Sequence, residues 1–528
     1  MKVWINIIWI SLLAGSVNAE KPNIILVFAD DISARELPIY NSDVWSKPGY
    51  GNTDDPALRA QTPVLDKLAE EGCWIRNAWA ATICSPSRAM MMTGRYAHLH
   101  KWWHNGDYGK SFDEQDRKIT WPLYESSPVQ LGQVAQQVGY GTYWAGKTQM
   151  TLDHVARYGF DEGIFTPGGS ITENPSTDFQ IIQKKVDGKK VMVNRDSGLP
   201  GGSFPTFSYF WMPSVQLLNH PSAEDELVLW PNTPKTRASF GPHTYGPDLE
   251  MEFIFDFMDR THEKGKPFFI YHTSHLGHGA FDWLRPEDEG KWPGTPVIEW
   301  TGKGYVRTEP RVTGDKGKYD THGTVTPSGI HHQINYLDYQ MWCYQNKLEE
   351  LGIAEDTIII FCADNGTHGY GKGNMDRQKG VHVPLIIYAP GMKKRGEQDI
   401  LVSIADMLPT VAELVGADIP ADYEINGESL VPFLFTEKAD HRDWLYSYKS
   451  ERQLARGNYV LKDGKDKWWD VSTMPADLNS FRQITDWSKE TELFREERKK
   501  LLSIIKPFDL YATEHDAPSY KSDRKGNE

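Results

Sequence analysis

The sequence predicts an α/β sandwich, a large central sheet flanked by helices, followed by a small C-terminal α+β subdomain. Three observations carry this reading. Residues 23–29 (Asn-Ile-Ile-Leu-Val-Phe-Ala) and 357–363 (Thr-Ile-Ile-Ile-Phe-Cys-Ala) are continuous apolar runs of strand length, as expected of strands covered on both faces in a parallel sheet. Helical spacing alternates with such runs from residue 22 to about 435, which is the pattern of layered α/β folds. From His441 the composition turns more polar, with short hairpin-like runs.

In chain order, residues 128–137 have helical spacing and lead into a short strand before Lys147. Residues 267–271 (Pro-Phe-Phe-Ile-Tyr) read as another buried strand, and residues 336–351 as an amphipathic helix running directly into the 357–363 strand. In the C-terminal part, residues 454–461 read as a hairpin and 490–502 as a charged helix. A chain of 528 residues holds one large domain and a smaller one, since single cores stop growing at about 250–300 residues. The expected division is a signal peptide over 1–19, a catalytic domain over 20–440, a subdomain over 441–520 and a disordered charged tail over 521–528.

The first nineteen residues set the expected compartment. Lys2 precedes a largely apolar stretch and then Val17-Asn18-Ala19, a small-residue cleavage pattern of secretory type. Ser16 stands where a lipoprotein signal needs cysteine, and no other segment approaches the length of a membrane span. A periplasmic or secreted location without a membrane anchor follows. The one N-glycosylation sequon is Asn365-Gly366-Thr367, inside a candidate metal site, so a bacterial source is expected. Leaving Cys84 aside, Cys73, Cys343 and Cys362 are an odd number, so at least one remains a thiol. A net charge of −15 does not suit nucleic acid and leaves room only for a locally basic cleft.

Both long apolar runs end in acidic residues: Asp30 and Asp31 after the first, Asp364 and Asn365 after the second. Ligands in parallel sheets bind at the carboxyl ends of strands, so the two clusters should meet at one edge. Three carboxylates and an amide carbonyl are hard oxygen ligands, which favours calcium, with magnesium second. Residues 84–88 read Cys-Ser-Pro-Ser-Arg, followed by Thr93-Gly94-Arg95-Tyr96. Pro86 suits the first turn of a helix starting at the cysteine, and a side chain there faces unpaired amides and a positive dipole end. A cysteine at such a place is by itself most often a small buried hydrophobe.

Cys84-Ser-Pro-Ser-Arg88 resembles the signature of the type I sulfatases, and the resemblance covers most of residues 20–470. The resemblance implies an alkaline-phosphatase-like sandwich with a mixed central sheet, and a helix within residues 401–415 after the last core strand. It implies that a maturation enzyme oxidises Cys84 to formylglycine (3-oxoalanine). One hydroxyl of the aldehyde hydrate attacks sulfur and releases the alcohol; the other then expels sulfate as the aldehyde re-forms. The family's metal is held by an Asp-Asp pair, the formylglycine and a later Asp-Asn pair, here Asp30, Asp31, Cys84, Asp364 and Asn365.

The same resemblance assigns the anion-binding groups. Arg88 holds the aldehyde hydrate and faces the sulfate, and Lys147, in Ala145-Gly146-Lys147, is the sulfate-binding lysine of a Gly-Lys element. Two residues on, the family has histidine; here Gln149 can hydrogen-bond but not titrate. His278 matches the histidine that protonates the leaving alcohol, with Gly277 in place of the family's proline. His272 and His275 read as structural hydrogen-bonders. A second sulfate-binding lysine is Lys372, in Gly371-Lys372-Gly373, with Lys379 as its competitor.

The expected activity is hydrolysis of sulfate esters on an oligo- or polysaccharide. Insertions at 97–127, 163–247 and 279–330 carry Trp102, Trp103, Trp211, Trp230, Trp283, Trp292 and Trp300 of 19 tryptophans, whose flat faces suit sugar rings, although each could equally be loop packing. Two alternatives are a phosphomonoesterase or phosphodiesterase on the same scaffold, and a catalytically dead secreted carbohydrate-binding protein, for which only Gln149 speaks.

Overall fold

The computed structural model describes residues 21–49, 51–105, 107–108, 110–112, 118–120, 123–150, 155–165, 181–194, 215–230, 245–278, 295–308, 326 and 329–512. Residues 1–19, expected to be a signal peptide, and residues 521–528, expected to be a disordered tail, lie outside the described residues. Eleven described strands form the central sheet. They are β1 (Asn23–Ala29), β2 (Cys73–Trp79), β3 (Gly141–Gly146), β4 (Glu162–Phe165), β5 (Val215–Leu218), β6 (Leu227–Trp230), β7 (Phe268–Thr273), β8 (Thr357–Ala363), β9 (His382–Val383), β10 (Leu385–Tyr388) and β11 (Gly396–Ser403). Their order is β6-β5-β4-β3-β7-β1-β8-β10-β2-β9, with β11 beside β2.

The middle of the sheet is parallel, from β4 through β3, β7 and β1 to β8. Antiparallel β5 and β10 flank it and make the sheet mixed. Every residue of β1, β3, β7 and β8 is buried, which is why these segments read as unbroken apolar runs. Two helix layers do the burying. One holds α1 (Pro63–Glu71), α4 (Gly246–Glu263) and α5 (Ile330–Leu351). The other holds α2 (Cys84–Thr93), α3 (Leu131–Gln136) and α6 (Met407–Val415).

Register positions the functional edge. In the β1/β8 pair Ala29 faces Ala363, and Asp364 N donates to Ala29 O at 3.0 Å, so Asp30 and Asp364 leave the sheet side by side. In the β7/β3 pair Thr273 faces Gly146, which brings Lys147 to the same edge.

Helix boundaries differ from expectation for identifiable reasons. The helix predicted over 336–351 begins six residues earlier, because its buried stripe of Ile330, Ile334, Leu337, Met341, Tyr344 and Leu348 extends back through a histidine-containing first turn. The 128–137 pattern shrinks to α3, whose start is set by Gln130 N donating to Gln133 Oε1 at 2.9 Å. Residues 401–403 belong to β11, and α6 starts only at Met407. The charged helix predicted over 490–502 is α7 (Glu492–Ile505).

A five-stranded antiparallel sheet follows, from β12 (Leu445–Lys449) and β13 (Arg452–Arg456) to β14 (Val460–Lys462), β15 (Trp468–Asp470) and β16 (Arg482–Ile484). Leu445, Leu454, Leu461 and Trp469 share a second apolar core with Trp79, Val381 and Leu401 of the large sheet's edge. All four cysteines are free. Among the described residues no helix is long and apolar enough to cross a membrane.

Buried histidines make this fold acid-sensitive. His382 accepts at Nδ1 from Gln378 Nε2 (3.3 Å) and donates from Nε2 to Arg76 O (2.8 Å); burial holds its pKa down to about 4. His100 accepts from Trp102 N at Nδ1 (3.0 Å) and donates to Tyr448 OH (2.7 Å), and burial pushes its pKa well down. An unfolded histidine binds its proton near pH 6.5, so between there and about pH 4 the unfolded chain holds more protons and stability rises with pH. For His382 alone the loss on acidification is about 3 kcal/mol. Thermal melts from pH 7 to pH 4.5 should show a smaller acid-induced loss of Tm in His382→Gln than in the parent protein, and identical pH profiles would contradict this reading.

Candidate active site

Asp30 and Asp31 follow β1 as it leaves the sheet, and Asp31 takes a left-handed conformation (φ 57°) that aspartate tolerates better than most residues. Its backbone N donates to Asp364 Oδ1 at 3.0 Å. Cys84 is the first residue of α2, and its Sγ lies 3.6 Å from Asp30 Oδ1 and 3.7 Å from Asp31 Oδ1. Arg88, one turn further along α2, donates from Nη2 to Asp364 Oδ2 at 2.8 Å. Lys147 donates to Asp30 Oδ2, and Lys372 Nζ lies 2.7 Å from Asp31 Oδ2. The arrangement sets three carboxylates against three cations around one sulfur. The carboxylates and Cys84 are fully buried, and Arg88 is 1 % exposed.

Charge and burial compete here. Burial alone would raise Asp30, but Lys147, Arg88 and Lys372 overcome it and hold its carboxyl well below the usual range. Asp364 is raised by burial and by the neighbouring Asp30 charge, against the pull of Arg88. A divalent cation between them would favour both in the ionised form. The Cys84 thiol is pushed well up by burial and by Asp364, so it is not a thiolate nucleophile at neutral pH.

The donor set fits a hard divalent ion. Ligating atoms of Asp30, Asp31, Cys84 and Asp364 lie within 4.8 Å of one another. Asn365 donates from Nδ2 to Asp31 Oδ1 at 2.7 Å, while its buried Oδ1 has no hydrogen-bond partner. An orphaned amide oxygen beside three carboxylates offers the oxygen-rich environment that calcium takes.

His278 also reaches the cluster: one of its ring nitrogens, a carboxylate oxygen of Asp30 and Cys84 Sγ lie within 4.8 Å of one another. Burial and Lys147 hold its pKa down to about 4. The turn carrying it explains the departure at Gly277. With φ 106°, and with a Cβ that would sit 1.8 Å from Asp30 O, the position excludes proline and every other side chain. Gly277 N donates to Gln333 Oε1 on α5, a bond proline could not make. Of the nearby histidines, His272 is structural, bonding Glu250 Oε2 (3.3 Å) and Tyr344 OH (3.0 Å). Lys379 turns away, to Asp376 Oδ2 at 3.2 Å, so Lys372 is the lysine at the cluster. Gln149 takes φ 50° and leaves its Oε1 buried without a partner.

A sulfatase family model matches residues 22–417. The chain belongs to the sulfatase family. Human arylsulfatase A is 26% identical over 482 residues, covering 87% of this chain and 76% of the relative. An N-acetylglucosamine-6-O-sulfatase of Bacteroides thetaiotaomicron is 23% identical over 578 residues, covering 97% and 92%. The crystal structure of Ps i-CgsB shares the fold with a TM-score of 0.58 at 19% identity, covering 93% of each chain. The sulfatase reading makes the enzyme a sulfuric ester hydrolase on an alkaline-phosphatase-like sandwich.

Two residues of this sulfatase escaped sequence reasoning. Ser33 N donates to Thr367 Oγ1 (3.0 Å) and Thr367 N donates to Ser33 Oγ (2.9 Å), a reciprocal clasp between the loops that follow the two acidic pairs. Thr367 also donates to Glu36 Oε1 (3.2 Å), which is anchored by Ser46 N and Arg35 Nε. The sequence signal was a hydroxyl residue two positions beyond each acidic pair. The described tryptophans divide between the two readings the sequence left open. Trp102 and Trp103 are core residues, 3 % and 1 % exposed, because their short strand packs under Tyr448 and Tyr511. Trp211, Trp283, Trp292 and the side chain of Trp230 lie outside the described residues; Trp300 is half-buried.

Because the clasp joins the two acidic loops, Thr367→Val should weaken the binding of an added divalent cation by about 10- to 100-fold, whereas Thr367→Ser should keep it. Calorimetric titration of metal-free protein reads this directly, and an unchanged affinity in Thr367→Val would show that the clasp does not position the site.

Proposed function

We propose that the chain hydrolyses sulfate esters on a sulfated oligo- or polysaccharide, using formylglycine made from Cys84 and a bound calcium ion. The observation that carries the proposal is the buried meeting of three carboxylates, three cations and an un-ionised Cys84 at one sheet edge. Saccharide as substrate is supported by the likeness to an N-acetylglucosamine-6-O-sulfatase over 97% of the chain.

The formylglycine hydrate would supply the attacking oxygen and a second hydroxyl to release sulfate. Asp30, Asp31, Asp364 and the Asn365 carbonyl would hold the cation, which supplies positive charge beside the sulfate oxygens. The chain's own groups divide the remaining work. Arg88, Lys147 and Lys372 are each spent on a carboxylate in the metal-free arrangement. With a divalent ion held by the carboxylates, Lys147 and Lys372 would be able to face the ester's sulfate, a preorganised electrostatic environment that costs no reorganisation during reaction. His278 gives its proton to the leaving alcohol. Its imidazole is neutral in the free site, and an arriving sulfate anion favours the protonated form. Gln149 stands in by hydrogen bonding for the family's second histidine. The proposed catalytic domain covers 20–440, and β12 to β16 form the subdomain of 441–520. Residues 1–19 are proposed to direct the enzyme to the periplasm or outside, where a maturation enzyme has already modified Cys84.

Specificity constants on nitrophenyl sulfate, nitrophenyl phosphate and sulfated saccharides test the reading. The highest should belong to a saccharide, and the phosphate ester should be poor; preference for phosphate would make the chain a phosphoesterase instead. Chelation should abolish turnover and calcium should restore it better than magnesium. His278→Ala should cost roughly a hundredfold to ten-thousandfold on a sugar sulfate and much less on nitrophenyl sulfate, whose phenolate leaves without a proton. Equal losses on both esters would remove His278 from the proton-donor role.

A further inference from the structure

Lys147 enters the cluster from a backbone that one residue, Thr273 at the end of β7, grips on both sides. Lys147 N donates to Thr273 O at 2.7 Å, which carries the β3/β7 ladder one bond past Gly146. Thr273 Oγ1 lies 2.6 Å from Lys147 O and 2.8 Å from Ala145 O. Between these carbonyls Gly146 takes φ 91°, and a Cβ there would sit 2.3 Å from Thr273 O. The turn that aims Lys147 therefore needs glycine at 146 and the close approach of Thr273.

A third partner decides where the hydroxyl hydrogen goes. Trp144 Nε1 donates to Thr273 Oγ1 at 3.0 Å. An indole nitrogen only donates, so Thr273 Oγ1 accepts from it and keeps its single hydrogen for the two carbonyls. Lys147 O also accepts from Arg88 Nη1 at 3.4 Å. The far ends of both cations are held by carboxylates, Arg88 Nη2 by Asp364 and Lys147 Nζ by Asp30. One hydroxyl thus fixes the carbonyl on which two of the cluster's cations meet. Thr273, Trp144, Lys147 and Arg88 are all buried, where a carbonyl left without its donor is destabilising. A β-branched shape alone would suit valine in this strand equally well; the three contacts of the hydroxyl are what valine cannot make.

We infer that Thr273 is a positioning residue for Lys147: its hydroxyl sets the backbone from which the Lys147 ammonium is aimed at the ester's sulfate. The inference rests on the sulfate-binding role proposed above for Lys147 and adds the residue through which that role is set.

The test is calorimetric titration of inorganic sulfate into the mature, calcium-saturated enzyme, comparing the parent with Thr273→Val, Thr273→Ala, Thr273→Ser and Lys147→Ala. A dissociation constant does not depend on what fraction of the protein is folded, so a variant that merely folds poorly gives less heat at unchanged Kd. Thr273→Val and Thr273→Ala, which both lack the hydroxyl, should raise Kd for sulfate roughly tenfold. Thr273→Ser restores the hydroxyl and should return Kd to the parent value, and Lys147→Ala should weaken binding at least as much as Thr273→Val. If Lys147→Ala weakens sulfate binding while the valine and alanine variants bind as the parent does, the positioning role is overturned and the role of Lys147 stands. A serine variant as weak as the valine one would also overturn it, because the hydroxyl would then not be what positions Lys147. If the parent binds sulfate no better than Lys147→Ala, the sulfate-binding role of Lys147 fails and the inference with it.

Discussion

Burying three carboxylates where β1 and β8 end is the constraint on which the rest of the catalytic edge depends. A buried charge is tolerated only when paired, and each carboxylate here has its own cation: Lys147 for Asp30, Lys372 for Asp31 and Arg88 for Asp364. These pairs come from four separate chain segments, so the site exists only when the parallel sheet, α2 and the Lys372 loop are all in place. The ion pairs are weak evidence of stability, since such pairs roughly offset their own desolvation. Their arrangement is better understood as stored electrostatics, with an equal number of positive and negative groups around one sulfur.

The supports around the cluster reach well beyond it. The Ser33 and Thr367 clasp ties the two acidic loops together. The C-terminal sheet holds the other side. Ser447 Oγ donates to Ala80 O (2.9 Å), Thr82 Oγ1 donates to Tyr448 O (3.4 Å), and Lys449 Nζ donates to Gly373 O (2.8 Å). The strand β12 therefore braces both the loop entering Cys84 and the loop bearing Lys372. This gives the small sheet a positioning task and accounts for the apolar core it shares with the edge of the large one.

Strands β1 and β8 were readable because burial on both faces leaves an unbroken apolar run, and the acidic residues that end them stand out against it. Short strands such as β9 and β10 were not, because runs of two and four residues are too short to show a period. The residues of the cluster were legible through local motifs, and the choice between Lys372 and Lys379 needed coordinates, since both lie in the same glycine-bearing loop. Gly277 appeared as a departure from the family pattern; only the close approach of Asp30 O and the bond to Gln333 explain why neither proline nor any side chain fits there. Trp102 and Trp103 follow the loop-packing alternative, and the sequence could not choose between the two because a tryptophan in an insertion packs inward as readily as it faces a ligand.

Cys84 is proposed to act as formylglycine, and its own thiol is held un-ionised by burial and by Asp364. Mass spectrometry of the peptide containing Cys84, from active enzyme produced with and without a formylglycine-generating enzyme, tests this most directly. The expected result is the aldehyde in place of the thiol, with activity proportional to the converted fraction. Fully active protein carrying only unmodified cysteine would contradict it.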